Sequence, residues 1–153
     1  MYSFEIIGVP AGRNGHVILR EERLPDLLSN IFLLFCLLQI KHMFADYFLQ
    51  TRWMLAGRGE YLHLGRAVHA GIHALGSAFA LLLVGVDPGL TLAIISVEWI
   101  AHFNIDWAKA YYSEVRDLKP DQARFWQASG VDQALHQFTY VVMVWVVVRY
   151  WIS

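Results

Sequence analysis

The stretch Glu98-Trp99-Ile100-Ala101-His102-Phe103-Asn104-Ile105-Asp106 decides how this chain is read. A carboxylate, an imidazole and a second carboxylate stand four residues apart inside an apolar segment. On a helix, positions i, i+4 and i+8 lie near one face. The stretch therefore predicts a hydrophobic rod with one ionisable stripe. Such a stripe is costly to bury unless it pairs with something or binds something.

Three other segments repeat the pattern. His42, Asp46 and Gln50 lie four apart, as do His69 and His73, and Asp132 and His136. Each set falls in an apolar segment, at about residues 27–50, 66–86, 90–111 and 129–151. At ~1.5 Å per residue each segment covers roughly 30 Å, the thickness of a bilayer core. Composition agrees: 57% of the 153 residues are hydrophobic and 16% charged, against about 25% charged in soluble domains. The expected fold is all-α, a four-helix transmembrane bundle over residues 27–153. A soluble four-helix bundle is the alternative, and its surface would carry more charge.

Residues 1–26 are expected to form a separate arm. Residues 4–9 and 16–20 are β-prone and flank a turn containing Asn14 and Gly15, which predicts a short hairpin or interfacial arm. Pro25 is expected to open the first helix. Asp87, Pro88 and Gly89 predict a tight turn between the second and third helices.

The net charge of −1 gives no electrostatic basis for nucleic-acid binding. Cys36 is alone, which excludes a disulfide framework and a thiolate cluster within the chain. Arg52, Arg58 and Arg66 fall in the first connection, and Lys109, Arg116, Lys119 and Arg124 in the third. Both connections lie on one side of a four-pass bundle, so the positive-inside rule puts them in the cytoplasm and both termini outside. Arg13, Arg20 and Arg23 on the arm run against that distribution. Trp53, Trp107 and Trp126 near the basic side, with Tyr150 and Trp151 opposite, fit two interfacial aromatic belts.

Depth ties the four stripes together. Counting ~1.5 Å per residue inward from Gln50, Arg66, Lys109 and Ser129, four residues (Asp46, His69, Asp106 and Asp132) lie about 4–6 Å down. His42, His73, His102 and His136 lie roughly 10–12 Å down by the same rise. Antiparallel helices thus bring their polar residues to the same two levels. A four-imidazole layer is expected beneath a layer of three carboxylates and one imidazole, with Glu98 a turn deeper. Imidazoles and carboxylates in a bundle core suit a divalent metal, here one or two ions of Zn, Mn, Fe or Ni. The expected metal-site residues are His42, Asp46, His69, His73, His102, Asp106, Asp132 and His136, some of them as orienting partners rather than ligands. Glu98 is the candidate general base. Lys41 points away from the stripe and is expected to pair with a carboxylate or line the site edge. Gln133 and Gln137 are expected to hydrogen-bond between helices, and Gly71, Gly76 and Ser77 to allow close packing.

The motifs His42-x3-Asp46-x3-Gln50-Thr51, His102-Phe103-x2-Asp106-x2-Lys109 and Asp132-Gln133-x2-His136 resemble an uncharacterised family of small bacterial and phage integral-membrane proteins, known only as a domain of unknown function. The resemblance covers residues 35–140. It implies a four-helix membrane fold, a shared polar site and a place in the bacterial cytoplasmic membrane, but no reaction. His69 matches a histidine on that family's second helix, whereas His73 stands where a tyrosine is expected. A looser similarity, through intramembrane His-x3-Asp pairs, links the chain to membrane proteins labelled metal-dependent hydrolases.

Three functions follow as expectations. One is a metal-dependent membrane hydrolase acting on a lipid-linked or headgroup substrate. Another is a non-enzymatic subunit of a larger membrane complex with a structural polar or metal core. The last is a proton or ion conductor, which the apolar outer halves of the helices oppose.

Overall fold

The computed structural model describes residues 15–57 and 59–152, with side chains from Leu24 onward. The described residues form α1 (Gly15–Tyr47), α2 (Arg52–Leu55), α3 (Leu64–Leu83), α4 (Pro88–Val115) and α5 (Ala123–Trp151), and contain no strand. The four long helices close into a ring: α1 packs on α3 and α5, and α4 packs on the same two. The short α2 seats against α3.

The all-α, four-helix architecture is the one the apolar segments predict, with two differences at the N-terminal end. Residues 16–20, expected as a strand, are helical and continue into α1; residues 4–9, the expected partner strand, lie outside the described residues. Pro25 does not open the helix but lies within it. A proline inside a helix forfeits one backbone bond and crowds the preceding turn. Here it is exposed, in the third turn of the helix, and the Arg20-Glu21-Glu22-Arg23-Leu24 run before it has good helix propensity.

The turn between α3 and α4 also differs in detail. Gly85, at φ +82°, takes the left-handed position after α3. Val86 N–H donates to Leu81 O at 3.0 Å and Gly85 N–H to Leu82 O at 3.1 Å, the paired bonds of a Schellman motif. Asp87 then caps α4 by accepting from Leu90 N–H at 3.0 Å, with Pro88 in the first helical turn. The reversal is therefore centred on Gly85, and Gly89 is already helical.

Four helical spans, Leu24–Tyr47, Leu64–Leu83, Pro88–Val115 and Ala123–Trp151, are long and apolar enough to cross a membrane. Their outward faces carry Phe32, Leu75, Phe79, Phe138 and Trp145, each more than 60% exposed. Inside, the ring divides into two halves. Leu34, Leu38, Leu81, Met143, Val144 and Val147 fill one half as an apolar core. The other half, toward the basic connections, buries His42, His69, His73, Glu98, His102, Asp132 and His136. Apolar residues outside and ionisable residues inside is the distribution a bilayer favours, because lipid offers those charges no partner.

The connection at the polar end is pinned to the bundle. Arg66 is buried and donates through Nη1 to Tyr61 O and through Nη2 to Glu60 O, both at 2.8 Å. Tyr61 donates to Asn104 Oδ1 at 3.1 Å and meets Trp107 edge-on at 4.9 Å. Gly65 permits the close approach of α2 to α3, since a Cβ there would stand 2.8 Å from Met54 Cα.

Candidate metal centre

One imidazole from each long helix meets its neighbours in a closed ring. Centroids lie 5.3 Å apart for His42 and His73, 3.9 Å for His73 and His102, 4.1 Å for His102 and His136, and 5.5 Å for His136 and His42. Helical rise explains the shared level: each histidine sits one turn inward from an Asp or His at the end of its stripe. His69, the fifth imidazole, lies against both His73 (4.7 Å) and His102 (5.3 Å).

The carboxylates cap this ring. Asp46 faces three histidines, its oxygens lying 3.0 Å from His73 Nε2, 3.3 Å from His69 Nε2 and 3.4 Å from His42 Nε2. Asp106 faces three as well, at 3.2 Å from His136, 3.6 Å from His102 and 3.7 Å from His69. Asp132 Oδ1 lies 3.7 Å from His136 Nε2. All five imidazoles thus aim Nε2 at carboxylate oxygens, and His69 stands between the Asp46 and Asp106 clusters.

Two groups of these residues have the geometry to hold a metal ion. Asp46, His69, His73 and His102 form one; His102, Asp106 and His136 form the other. Within each, the available ligand atoms all lie within 4.8 Å of one another. Ligands at about 2.0–2.2 Å from a tetrahedral zinc stand roughly 3.3–3.6 Å from each other. The N···O separations above straddle that spacing, and several are too long for good hydrogen bonds. The chemistry of the set also fits a divalent ion, which would balance several buried carboxylates through neutral imidazoles. Most telling is His102: its Nε2 is buried and has no hydrogen-bond partner among the described residues. An imidazole nitrogen left unpaired in a dense polar cluster is a candidate ligand atom.

The remaining expected residues surround these two groups. His42 engages both ring nitrogens, Nδ1 at 2.9 Å from Tyr140 Oη and Nε2 at 3.0 Å from Gln133 Oε1. Gln133 in turn donates through Nε2 to Asp46 and Asp132, each at 3.4 Å. Asp132 keeps Oδ1 buried without a hydrogen-bond partner among the described residues. Glu98 lies in neither group. Its Oε1 takes an ion pair from Lys41 at 2.6 Å and a hydrogen bond from Ser77 Oγ at 2.9 Å. Lys41 also donates to His73 O at 3.2 Å and lies 4.5 Å over the Tyr140 ring.

The site also includes Tyr140 and Ser77, neither of which the helical stripes of ionisable residues contain. Tyr140 was detectable, because it continues the Asp132, His136 stripe by another four residues. Ser77, read as a packing residue, gives no such signal. The interhelical role of the glutamines holds: Gln39 donates to Gln137, linking α1 and α5.

Fold and site together define an all-helical bundle of membrane-spanning dimensions with a buried His/Asp cluster able to bind a metal. The chain belongs to the family described as Protein of unknown function (DUF3307), which matches residues 33–153. No curated protein and no solved structure matches it significantly.

Proposed function

We propose that the protein is a multi-pass membrane hydrolase that binds one or two divalent ions, Zn, Mn, Fe or Ni, through Asp46, His69, His73, His102, Asp106 and His136. The observation that carries this reading is the orphaned, buried Nε2 of His102, which belongs to both metal-competent groups. A dication there would lower the pKa of bound water and polarise a phosphoryl or acyl oxygen. Asp46 and Asp106 supply the negative charge, and His42, held by Tyr140 and Gln133, orients Asp46 from behind.

The proton acceptor is assigned to Asp132 in preference to Glu98. Glu98 also keeps a buried oxygen, Oε2, without a hydrogen-bond partner among the described residues, but its Oε1 is held by Lys41 and Ser77 and it lies in neither metal-competent group. Asp132 has a free oxygen 3.7 Å from His136 Nε2. Hydrolysis then adds water across an ester bond, its oxygen to phosphorus or carbon and its proton to the leaving oxygen. The basic connections would place this centre near the cytoplasmic face, with both termini outside. A lipid-linked or headgroup substrate suits that position. Conduction is disfavoured, since the apolar core of Leu34, Leu38, Leu81 and Val147 closes the other half of the bundle.

Elemental analysis of detergent-purified protein tests the reading, with wild type beside Asp106→Ala and His136→Ala. One or two equivalents of metal in the wild type, reduced in both variants, is the expected result. A metal-free wild type that stays empty after reconstitution would refute the centre, and the cluster would then stand as a packing network within a non-enzymatic subunit.

A further inference from the structure

A lateral groove opens between α4 and the first half of α5 at the polar end of the bundle, with a volume of about 360 Å³. That is within the range of small-ligand pockets. Its α4 wall is Ile105, Ala108, Lys109 and Tyr112, spaced i, i+3, i+4 and i+7 along one helix face. Across from it, α5 supplies Arg124 near its start and then Val131, Asp132 and Leu135. The chemistry is graded along the groove. Two cations flank the end nearer the connection, and apolar side chains line the length that runs into the bundle. Among the described residues neither Lys109 nor Arg124 has a carboxylate in ion-pair range; Lys109 lies over the Phe125 ring at 6.0 Å and within electrostatic reach of Asp132. Asp132 lines the same groove with a side chain 9% exposed and an Oδ1 that lacks a hydrogen-bond partner.

We infer that this groove binds an anionic phospholipid, its phosphodiester between Lys109 and Arg124 and its chain along Ile105, Val131 and Leu135, and so presents a phosphodiester to the His/Asp centre. The inference rests on the proposed metal centre for its catalytic meaning, but the binding it describes does not depend on turnover. Charge complementarity selects the headgroup: two basic side chains at a membrane end attract an anionic lipid, and Arg can hold two phosphate oxygens at once. The apolar walls select a lipid over a soluble phosphate. Arrival from the side is the route open to a substrate dissolved in the bilayer, and the groove leads from that side to Asp132, which stands beside His136 of the candidate centre.

Native mass spectrometry of the detergent-purified protein tests this with phosphatidylglycerol, phosphatidylcholine and inorganic phosphate as probes. Metal content is measured on the same samples. Wild type should retain phosphatidylglycerol over phosphatidylcholine by roughly ten- to thirty-fold, the effect of two basic contacts. Excess inorganic phosphate should fail to displace it. In the Lys109→Gln/Arg124→Gln double variant the preference should fall to near parity with metal content unchanged, and Val131→Trp, which fills the groove without altering charge, should lower retention of both lipids. Undiminished phosphatidylglycerol retention by the double variant would overturn the inference, as would displacement by inorganic phosphate, which would mark a site for free anions. Absence of metal from the wild type would remove the hydrolase reading and leave the lipid ratios to decide the groove by themselves.

Discussion

Lys41 on α1 and Glu98 on α4 meet across the diagonal of the bundle, Nζ to Oε1 at 2.6 Å, with side chains 10% and 1% exposed. These helices do not pack on one another directly; each contacts α3 and α5 instead. The ion pair is therefore a strut through the centre, directly below the imidazole ring. Removing one partner leaves the other charge buried with only neutral partners, Ser77 for Glu98 and the His73 carbonyl for Lys41. Glu98→Leu and Lys41→Leu should each lower stability by about 3–5 kcal/mol, while the double replacement should cost much less than their sum. A double-mutant cycle by denaturant titration in detergent micelles reads the coupling. Strictly additive losses would mean the two charges do not depend on each other.

His102 is shared by both metal-competent groups, whereas His69 and His136 each belong to one. With two ions bound, His102→Ala should empty the protein, and His69→Ala or His136→Ala should each leave about half the wild-type metal. Metal counts per chain distinguish this from a single ion. In that case the three variants would lose metal in parallel.

His42 should behave differently from the other ring members, because it belongs to neither metal-competent group and its nitrogens are engaged by the neutral side chains of Tyr140 and Gln133. His42→Ala should preserve the number of bound ions and weaken their affinity by roughly 10–100-fold, the usual effect of losing an orienting partner. Tyr140→Phe should move affinity in the same direction by less. Competition with a fluorescent chelator measures both. A His42→Ala protein with lost stoichiometry would make His42 a ligand.

These distinctions mark where the sequence stops being informative. Stripes of ionisable residues at four-residue spacing are visible in the chain because helical periodicity is a one-dimensional property, and the common depth of His42, His73, His102 and His136 follows from a fixed rise per residue. The ring those residues make required no further information. Which of them faces a metal and which faces a hydrogen-bond partner depends on side-chain rotamers and on Tyr140, Gln133 and Ser77, residues of ordinary composition whose importance comes only from proximity. Glu98 shows the same limit. As a carboxylate in the stripe it reads as a candidate base, and its ion pair with Lys41, which comes from a different helix, is invisible in the chain. Pro25 is ambiguous for another reason: a proline can open a helix or lie within one, and which it does depends on whether the turn before it is helical.

Two glycines separate what the fold needs from what the centre needs. Gly85 adopts φ +82° beyond α3, and a Cβ there would meet no atom within 4 Å. Its replacement by alanine carries only the left-handed backbone penalty, about 1–2 kcal/mol, at the end of the bundle remote from the histidines. Gly65 is different: an added Cβ would stand 2.8 Å from Met54 Cα and 2.9 Å from Trp53 O, both backbone atoms that cannot swing aside. Relief must come from moving α2 or the first turn of α3, the turn that leads into His69. Gly65→Ala should therefore be the more destabilising change and should also reduce metal retention, whereas Gly85→Ala should lower the melting temperature with metal content intact. Tryptophan-monitored melting and elemental analysis on the same two preparations compare them. Equal metal loss in both would show that the centre responds to global stability and not to the α2–α3 junction.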